Sequence, residues 1–322
     1  MEKRTPVGRL NYSGSLEPVV VDLCRAYKIG QPTDFSIVEV GYEDCNVIIQ
    51  TSSGKYLAKI FSKVRTPQNI ARYTITMQKV MKAGVNHPAL LKTDKGNFVY
   101  RDGNANEISM VLTRFVEGKT FLELDRAPNT NELRDVLEQA AKVNSIDYHP
   151  PYLFDSWAIP NIQSMFERVR EFIQPGDLTL VEQAMSRYAK IPVDALPHCF
   201  VHGDFTKANI VKGDDGEIYV LDFSVSNWYP RIQELAVITA NLLYDKDDST
   251  SLHDKSKIVA KEYNKFIPLA PEEQRHFYAY TLAGVTMEFM GSHQERYING
   301  NDTAETEYWL NLGREGLRKA LL

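Results

Sequence analysis

One change of texture constrains this chain more than any other feature. Up to about residue 116 the apolar residues fall mainly in short β-rich runs, whereas from about 119 they recur mainly at helical spacing. Segments 35–41, 46–51 and 56–61 are rich in Ile, Val, Tyr and Phe, with Ser52-Ser53-Gly54 joining the last two, which predicts a meander of hairpins. A helix over 16–29 behind the N-cap Ser15 precedes them. Another follows over 67–84, opening at Pro67 and closing at Gly84. Further strands are expected near 90–94, 97–101 and 107–116. The later pattern predicts helices over 130–146, 161–173, 177–190, 231–244, 252–266, 271–291 and 304–321. One strand-rich block, 199–223, interrupts them, with strands 209–212 and 217–222 flanking Gly213-Asp214-Asp215-Gly216. The expected fold class is α+β and bilobal: an antiparallel-sheet lobe over 1–116 and a mostly helical lobe over 117–322.

The interrupting block carries the chemistry. It reads His202-Gly203-Asp204-Phe205-Thr206-Lys207-Ala208-Asn209, with Asp222-Phe223 further on. Asp204 follows an apolar strand end, where a carboxylate faces outward from the sheet. Asn209 begins the next strand and Asp222 ends its hairpin partner, so the hairpin makes them neighbours. Two carboxylates and an amide oxygen converging in this way suit a hard cation such as Mg2+. Phosphoryl transfer uses such a set, with one carboxylate kept to orient and deprotonate the attacking hydroxyl. A polar surface hairpin would explain Asp214 and Asp215, but not an Asp at position 222 that interrupts an apolar strand.

Composition narrows the partners. A chain of 322 residues is long enough for two packed lobes. Its net charge of −5, without a dense Lys/Arg run, argues against nucleic acid. Cys24, Cys45 and Cys199 are few, odd in number and far apart, which fits a reducing compartment better than a disulfide framework. The first fourteen residues lack the apolar core of a signal peptide. The most apolar helical stretch, 234–244, is interrupted by Thr239 and Asn241 and falls short of the roughly 20 residues a bilayer requires. The expectation is a cytoplasmic protein with no membrane or nucleic-acid partner.

HGDFTKANIV and YVLDFS resemble the signature segments of the aminoglycoside phosphotransferase, choline kinase and type II homoserine kinase superfamily, whose fold is protein-kinase-like. VEVGYEDCNVIIQTSSGKYLAKIF, at 38–61, is similar to its phosphate-covering hairpin and lysine strand. RIQELAVI, at 231–238, resembles the helix after the metal-binding Asp, with Glu234 where the family usually has Asp. The resemblance implies an ATP- and Mg2+-dependent kinase acting on a hydroxyl of a small molecule, with a nucleotide-binding first lobe and a catalytic, substrate-binding second lobe. It implies Asp204 as the catalytic base, Asn209 and Asp222 as metal ligands, and Lys59, Gly41 and Asn46 as nucleotide-binding residues. It also implies that His202 braces the loop.

Departures from the pattern leave alternatives open. In the family an acid on the helix after the lysine strand pairs with the lysine, yet residues 62–84 contain no Asp or Glu. Lys59 therefore pairs with Glu43 or Glu107, or goes unpaired without nucleotide, and a catalytically inactive nucleotide-binding module stays in play. Lys59 itself reads either as a phosphate ligand or as an outward-facing edge-strand lysine. Lys207 reads as a phosphoryl contact or as a solvated loop lysine. A protein Ser/Thr kinase on the same fold is the rival activity, disfavoured because only Phe223 to Pro230 separate the metal segment from the next helix. Aromatics such as Trp157 and acids such as Glu288 could line a pocket for an amino alcohol or aminosugar, or simply belong to the core and to solvated helix faces.

Overall fold

The computed structural model describes residues 5–103 and 108–322, and the chain divides into two compact units. One holds the described residues through Met81 together with His87–Glu117. The other holds Lys82–Asn86 and Gly118–Leu322.

The first unit opens with α1 (Leu16–Tyr27), where the Ser15 hydroxyl accepts from the Glu17 N–H at 3.2 Å. The strands are β1 (Pro32–Ile37), β2 (Cys45–Thr51), β3 (Gly54–Ile60), β4 (Val99–Asp102) and β5 (Ile108–Arg114). They form one antiparallel sheet in the order β1-β2-β3-β5-β4. The two-residue period puts Cys45, Val47 and Ile49, then Tyr56, Ala58 and Ile60, then Ile108, Met110 and Leu112 into one buried cluster with Leu16, Val19, Val20 and Leu23 of α1. Each Val, Leu, Ile or Met among them contributes about 1.5–3 kcal/mol on burial. A slip of one residue would turn the whole face outward, so the register that sets Asn46 opposite Lys59 is strongly specified. The helix α2 (Pro67–Lys82) follows the lysine strand.

Two expectations shift in this unit. The segment 90–94 makes only a single bridge, Leu90 to Thr113, because Thr93 closes a turn with Asn97: its N–H donates to the Asn97 carbonyl at 2.8 Å. The strand expected over 107–116 is Ile108–Arg114, and Glu107 lies outside the described residues.

The second unit contains β6 (Gly118–Thr120), β7 (His198–Val201), β8 (Ile210–Gly213), β9 (Ile218–Val220) and β10 (Asn227–Pro230). They form a β6-β8-β9 sheet and a β10-β7 pair. Around them run α3 (Thr130–Asn144), α4 (Ile162–Val169), α5 (Pro175–Tyr188), α6 (Ile232–Val237), α7 (Leu252–Tyr263), α8 (Pro271–His293) and α9 (Ala304–Leu321). The Asn129 side chain and Glu132 form a reciprocal cap on α3. Every residue from Tyr280 to His293 in α8 is buried, which makes it the central helix of the unit. Both α6 and α8 run on into π-helical turns, Ile238–Leu242 and Gln294–Ile298. The strands β6, β7 and β10 are only three or four residues long, too short to show a two-residue period in sequence. Among the described residues no helix is long and apolar enough to cross a membrane.

Candidate active site

Where β7 ends at Val201, the chain turns through Gly203 at φ 87, a left-handed conformation that costs any other residue energy. On either side stand His202 and Asp204. The His202 ring is fully buried between the edges of Phe205 and Phe223. Its Nδ1 accepts the Asp204 N–H at 3.0 Å, which puts the ring proton on Nε2, and Nε2 donates to the Leu221 carbonyl at 2.7 Å. Burial pushes its pKa down to about 4, so the ring is neutral near pH 7. This one imidazole joins the backbone at Asp204 to the residue before Asp222.

Asn209 closes the other side. Its Nδ2 donates to the Asp204 carboxylate at 2.6 Å and to the Asp204 carbonyl at 3.1 Å. Its own carbonyl accepts the Leu221 N–H at 2.8 Å, just before the β8–β9 ladder begins at Ile210 and Val220. The strand β9 stops at Val220, so Asp222 does not end a strand as the sequence suggested. It sits in the loop beyond, left-handed at φ 57, with Oδ1 accepting from the Ser224 N–H at 3.2 Å and hydroxyl at 2.5 Å. A non-glycine residue held this way stores about 1–3 kcal/mol of strain, a feature that clusters at functional sites.

Asp204 keeps some solvent-exposed surface, yet its carboxyl is pushed well above the usual carboxylate range. Burial is the main cause, followed by the nearby charges of Asp222, Asp155 and Glu288. Those acids concentrate negative charge around one point, which a divalent cation would relieve. Among the described residues no group of three or more His, Cys, Asp or Glu could hold a metal ion. The donor set here is of another kind, an amide and a carboxylate. With the Asn209 nitrogen committed to Asp204, its amide oxygen is the atom left for a cation, and oxygen donors suit a hard one.

Two further buried acids hold the loop from behind. The Glu234 carboxylate accepts the N–H groups of His202 and Gly203 at 2.8 and 2.9 Å. Glu288 of α8 accepts from Asn241 Nδ2 at 2.8 Å, and Asn241 Oδ1 accepts the Lys207 N–H at 2.9 Å. Asn241 lies in the first π-helical turn, a backbone irregularity frequent at functional sites. Lys207 is 2% exposed and its Nζ lies 5.9 Å from the Tyr244 ring centre, which removes the solvated-loop reading. Burial pushes its pKa down to about 8.

Glu234 and Glu288 are both pushed up to about 7 by burial. For Glu288 the folded value stands above the ordinary 4.5, so between those pH values the folded state binds more protons than the unfolded one. Its contribution to stability is therefore lost as pH rises from about 4.5 to 7, by up to about 3 kcal/mol. His202 acts in the opposite sense, losing stability as pH falls from its ordinary 6.5 toward about 4. Glu288→Gln, which retains an acceptor for Asn241, is expected to raise the thermal midpoint at pH 8. Its advantage over the wild type should shrink to nothing near pH 4.5. A pH-independent difference between the two melting curves would contradict the account.

The remaining predicted residues lie in the first unit, on one hairpin. Gly41 is left-handed at φ 103, where a turn needs glycine. Asn46 faces Lys59 across β2 and β3, and its Oδ1 is buried without a hydrogen-bond partner among the described residues. Lys59 is 7% exposed, which rules out the outward-facing reading. Its Nζ meets Asp44 at 3.4 Å and lies 5.9 Å from the Tyr73 ring centre. Glu43, one of the two partners the sequence suggested, bonds to Arg65, and Glu107 lies outside the described residues. Sequence reasoning missed Asp44 and the Asn241–Glu288 pair. Asn241 was visible only as a polar break in an apolar helix.

Comparison with known proteins follows the same lines. The sequence pattern of the phosphotransferase enzyme family matches residues 34–257. A homoserine kinase of Caulobacter sp. (strain K31) is 20% identical over 312 residues, covering 90% of this chain and 92% of its own. Another homoserine kinase, of Rhodopseudomonas palustris (strain BisB5), is 22% identical over 261 residues, with 79% and 77% covered. Among solved structures, an amicoumacin kinase in complex with AMP-PNP and Ca2+ superposes with a TM-score of 0.67 at 14% identity, covering 94% of this chain and 93% of that one. A choline/ethanolamine kinase family protein from Mesorhizobium loti gives 0.63 at 14% identity, covering 93% and 94%. The fold is the protein-kinase-like one, an antiparallel sheet unit and a mostly helical unit. With its family pattern matched over more than half its length, this chain belongs to the phosphotransferase enzyme family.

Proposed function

We propose that this small-molecule kinase takes the γ-phosphoryl group from ATP, with Mg2+, and passes it to a hydroxyl of an amino alcohol, a homoserine-like compound or an aminosugar. The observation that carries this reading is the clasp of Asp204 by Asn209 at 2.6 Å, with Asp222 close enough to repel its charge. Asp204 would accept the proton of the acceptor hydroxyl as that oxygen attacks phosphorus. Asn209 Nδ2 fixes the orientation of the carboxylate, while His202 and Glu234 fix the position of its backbone. Asn209 and Asp222 would offer oxygen ligands to the cation. Bound Mg2+ would supply positive charge to the phosphate oxygens. Lys59, with Gly41 and Asn46 on the hairpin, would meet the phosphates of the nucleotide.

The homoserine kinase matches support the acceptor class. A protein acceptor is disfavoured, because β10 pairs with β7 inside the short stretch after Asp222 and leaves no platform for a peptide. The inactive-module reading drew its force from the missing helix acid, and Asp44 gives Lys59 a carboxylate. A net charge of −5 supports a protein without nucleic-acid partners, and three widely spaced cysteines support a reducing compartment.

The test is ADP release with mass-spectrometric product detection across homoserine, choline, ethanolamine, aminoglycosides and neutral sugars. At least one ammonium-bearing alcohol should gain a phosphoryl group. Background release with every small molecule, alongside labelling of a generic protein acceptor, would overturn the proposal in favour of a protein kinase.

A further inference from the structure

The helix α2 brings no acid to Lys59, since Pro67–Lys82 contains neither Asp nor Glu. Among the described residues, a carboxylate that meets the ammonium comes from the residue just before β2. The Asp44 side chain is 1% exposed and that of Lys59 is 9% exposed. Asp44 Oδ2 accepts from Lys59 Nζ at 3.4 Å and from Arg65 Nη2 at 3.5 Å. Asp44 Oδ1 accepts from the Ser62 N–H at 3.0 Å and from Arg65 Nε at 3.4 Å. Arg9 Nη1 donates to the Asp44 carbonyl at 3.3 Å, which fixes the backbone as well.

We propose that Asp44 is the positioning acid of Lys59, doing from the phosphate-covering hairpin what the family assigns to the following helix. The inference rests on the reading of Lys59 as a phosphate ligand. An ammonium buried on a strand needs a partner, because leaving it unpaired costs several kcal/mol. Asp44 meets that need and also has a bond that no α2 residue would make. The Ser62 N–H ties it to the chain just beyond the lysine strand, so carboxylate and lysine are held by the same hairpin. Its contacts with Lys59 and Arg65 are long, 3.4–3.5 Å, near the outer limit of hydrogen bonding. Arg65 is held by Glu43 as well, while the long contact lets the Lys59 ammonium turn toward an incoming phosphate. Asp44 thereby couples the covering loop to the ammonium: placing one places the other, and α2 need not move for either.

A double-mutant cycle tests this on the full chain. The probe is AMP-PNP with Mg2+, and binding is measured by titration calorimetry for Lys59→Met, Asp44→Asn and the double variant. Lys59→Met is expected to weaken binding about tenfold or more, and Asp44→Asn about five- to tenfold. The double variant should bind no more weakly than Lys59→Met alone, within about twofold, because Asp44 acts through Lys59. Asp44→Glu keeps the charge and should recover most of the affinity, which a purely packing role would not allow; Asp44→Ser replaces Asp44→Asn in the cycle if that variant does not fold. Losses that multiply in the double variant would overturn the proposal, as would wild-type affinity in folded Asp44→Asn. Wild-type affinity in Lys59→Met would instead strike down the phosphate-ligand reading of Lys59, and the proposal with it.

Discussion

Replacing Asp204 with Asn is expected to cut turnover by about 100-fold or more while nucleotide affinity stays within about twofold of the wild type. The side chains have nearly the same shape, and an Asn carbonyl at this position can still accept from Asn209 Nδ2. What disappears is the ability to take a proton. A base acts on the hydroxyl as the bond to phosphorus forms, so its loss falls on kcat rather than on binding of the nucleotide. Removing one of the crowded carboxylates also relieves repulsion on Asp222, which argues further against weaker nucleotide binding. Steady-state kinetics with the best acceptor from the panel, beside calorimetry with AMP-PNP, give both numbers. Turnover within a few fold of the wild type would take Asp204 out of the chemistry.

The second large effect is expected at Glu234. Glu234→Ala leaves the N–H groups of His202 and Gly203 without their acceptor, at a carboxylate that is itself fully buried. The orphaned His202 donor, which is buried, costs about 1–3 kcal/mol, and the part-buried Gly203 donor less. Part of that is offset, because a buried acid already pushed up to about 7 goes with the side chain. The kinetic consequence is of comparable size, since 100-fold in rate is about 2.7 kcal/mol. The two N–H groups belong to the residues just before Asp204, and a displacement of about 1 Å at a catalytic group costs on the order of 100-fold in rate. Glu234→Gln should fall between, since one oxygen still accepts while an NH2 meets the other donor. Turnover unchanged in Glu234→Ala, in a sample whose melting confirms the folded state, would mean that the loop is held by His202 alone.

Much of the helical unit and the meeting of Asp204 with Asn209 could be read before any coordinates. Asp204 and Asn209 lie five residues apart, so their meeting depends on one local turn, and local turns are written in adjacent residues. The bracing of the loop by His202 was implied by the family resemblance, and the structure sets its ring against Phe205 and Phe223. The pairing of Lys59 with Asp44 was less legible, though not hidden. The hairpin register sets Cys45 against Ile60, so Asp44 falls diagonally beside Lys59. Counting back from the Ser52-Ser53 turn would have found it. Nothing local announces the Glu288–Asn241–Lys207 chain, because its members come from a loop, a π-helical turn and α8. Contacts of that kind are decided by how helices pack. The left-handed backbone at Asp222 has the same origin: an apolar run with one acid gives no sign that the strand has already ended at Val220.

The pairing of β10 with β7 has a consequence for how such an enzyme is governed. Asn227 to Pro230 are laced against His198 to Val201, and Arg231 donates to the Pro197 carbonyl at 2.9 Å. No slack remains in this stretch that could fold inward to shut the catalyst down and swing out on command. This stretch is therefore built as half of a strand pair rather than as a movable regulatory segment.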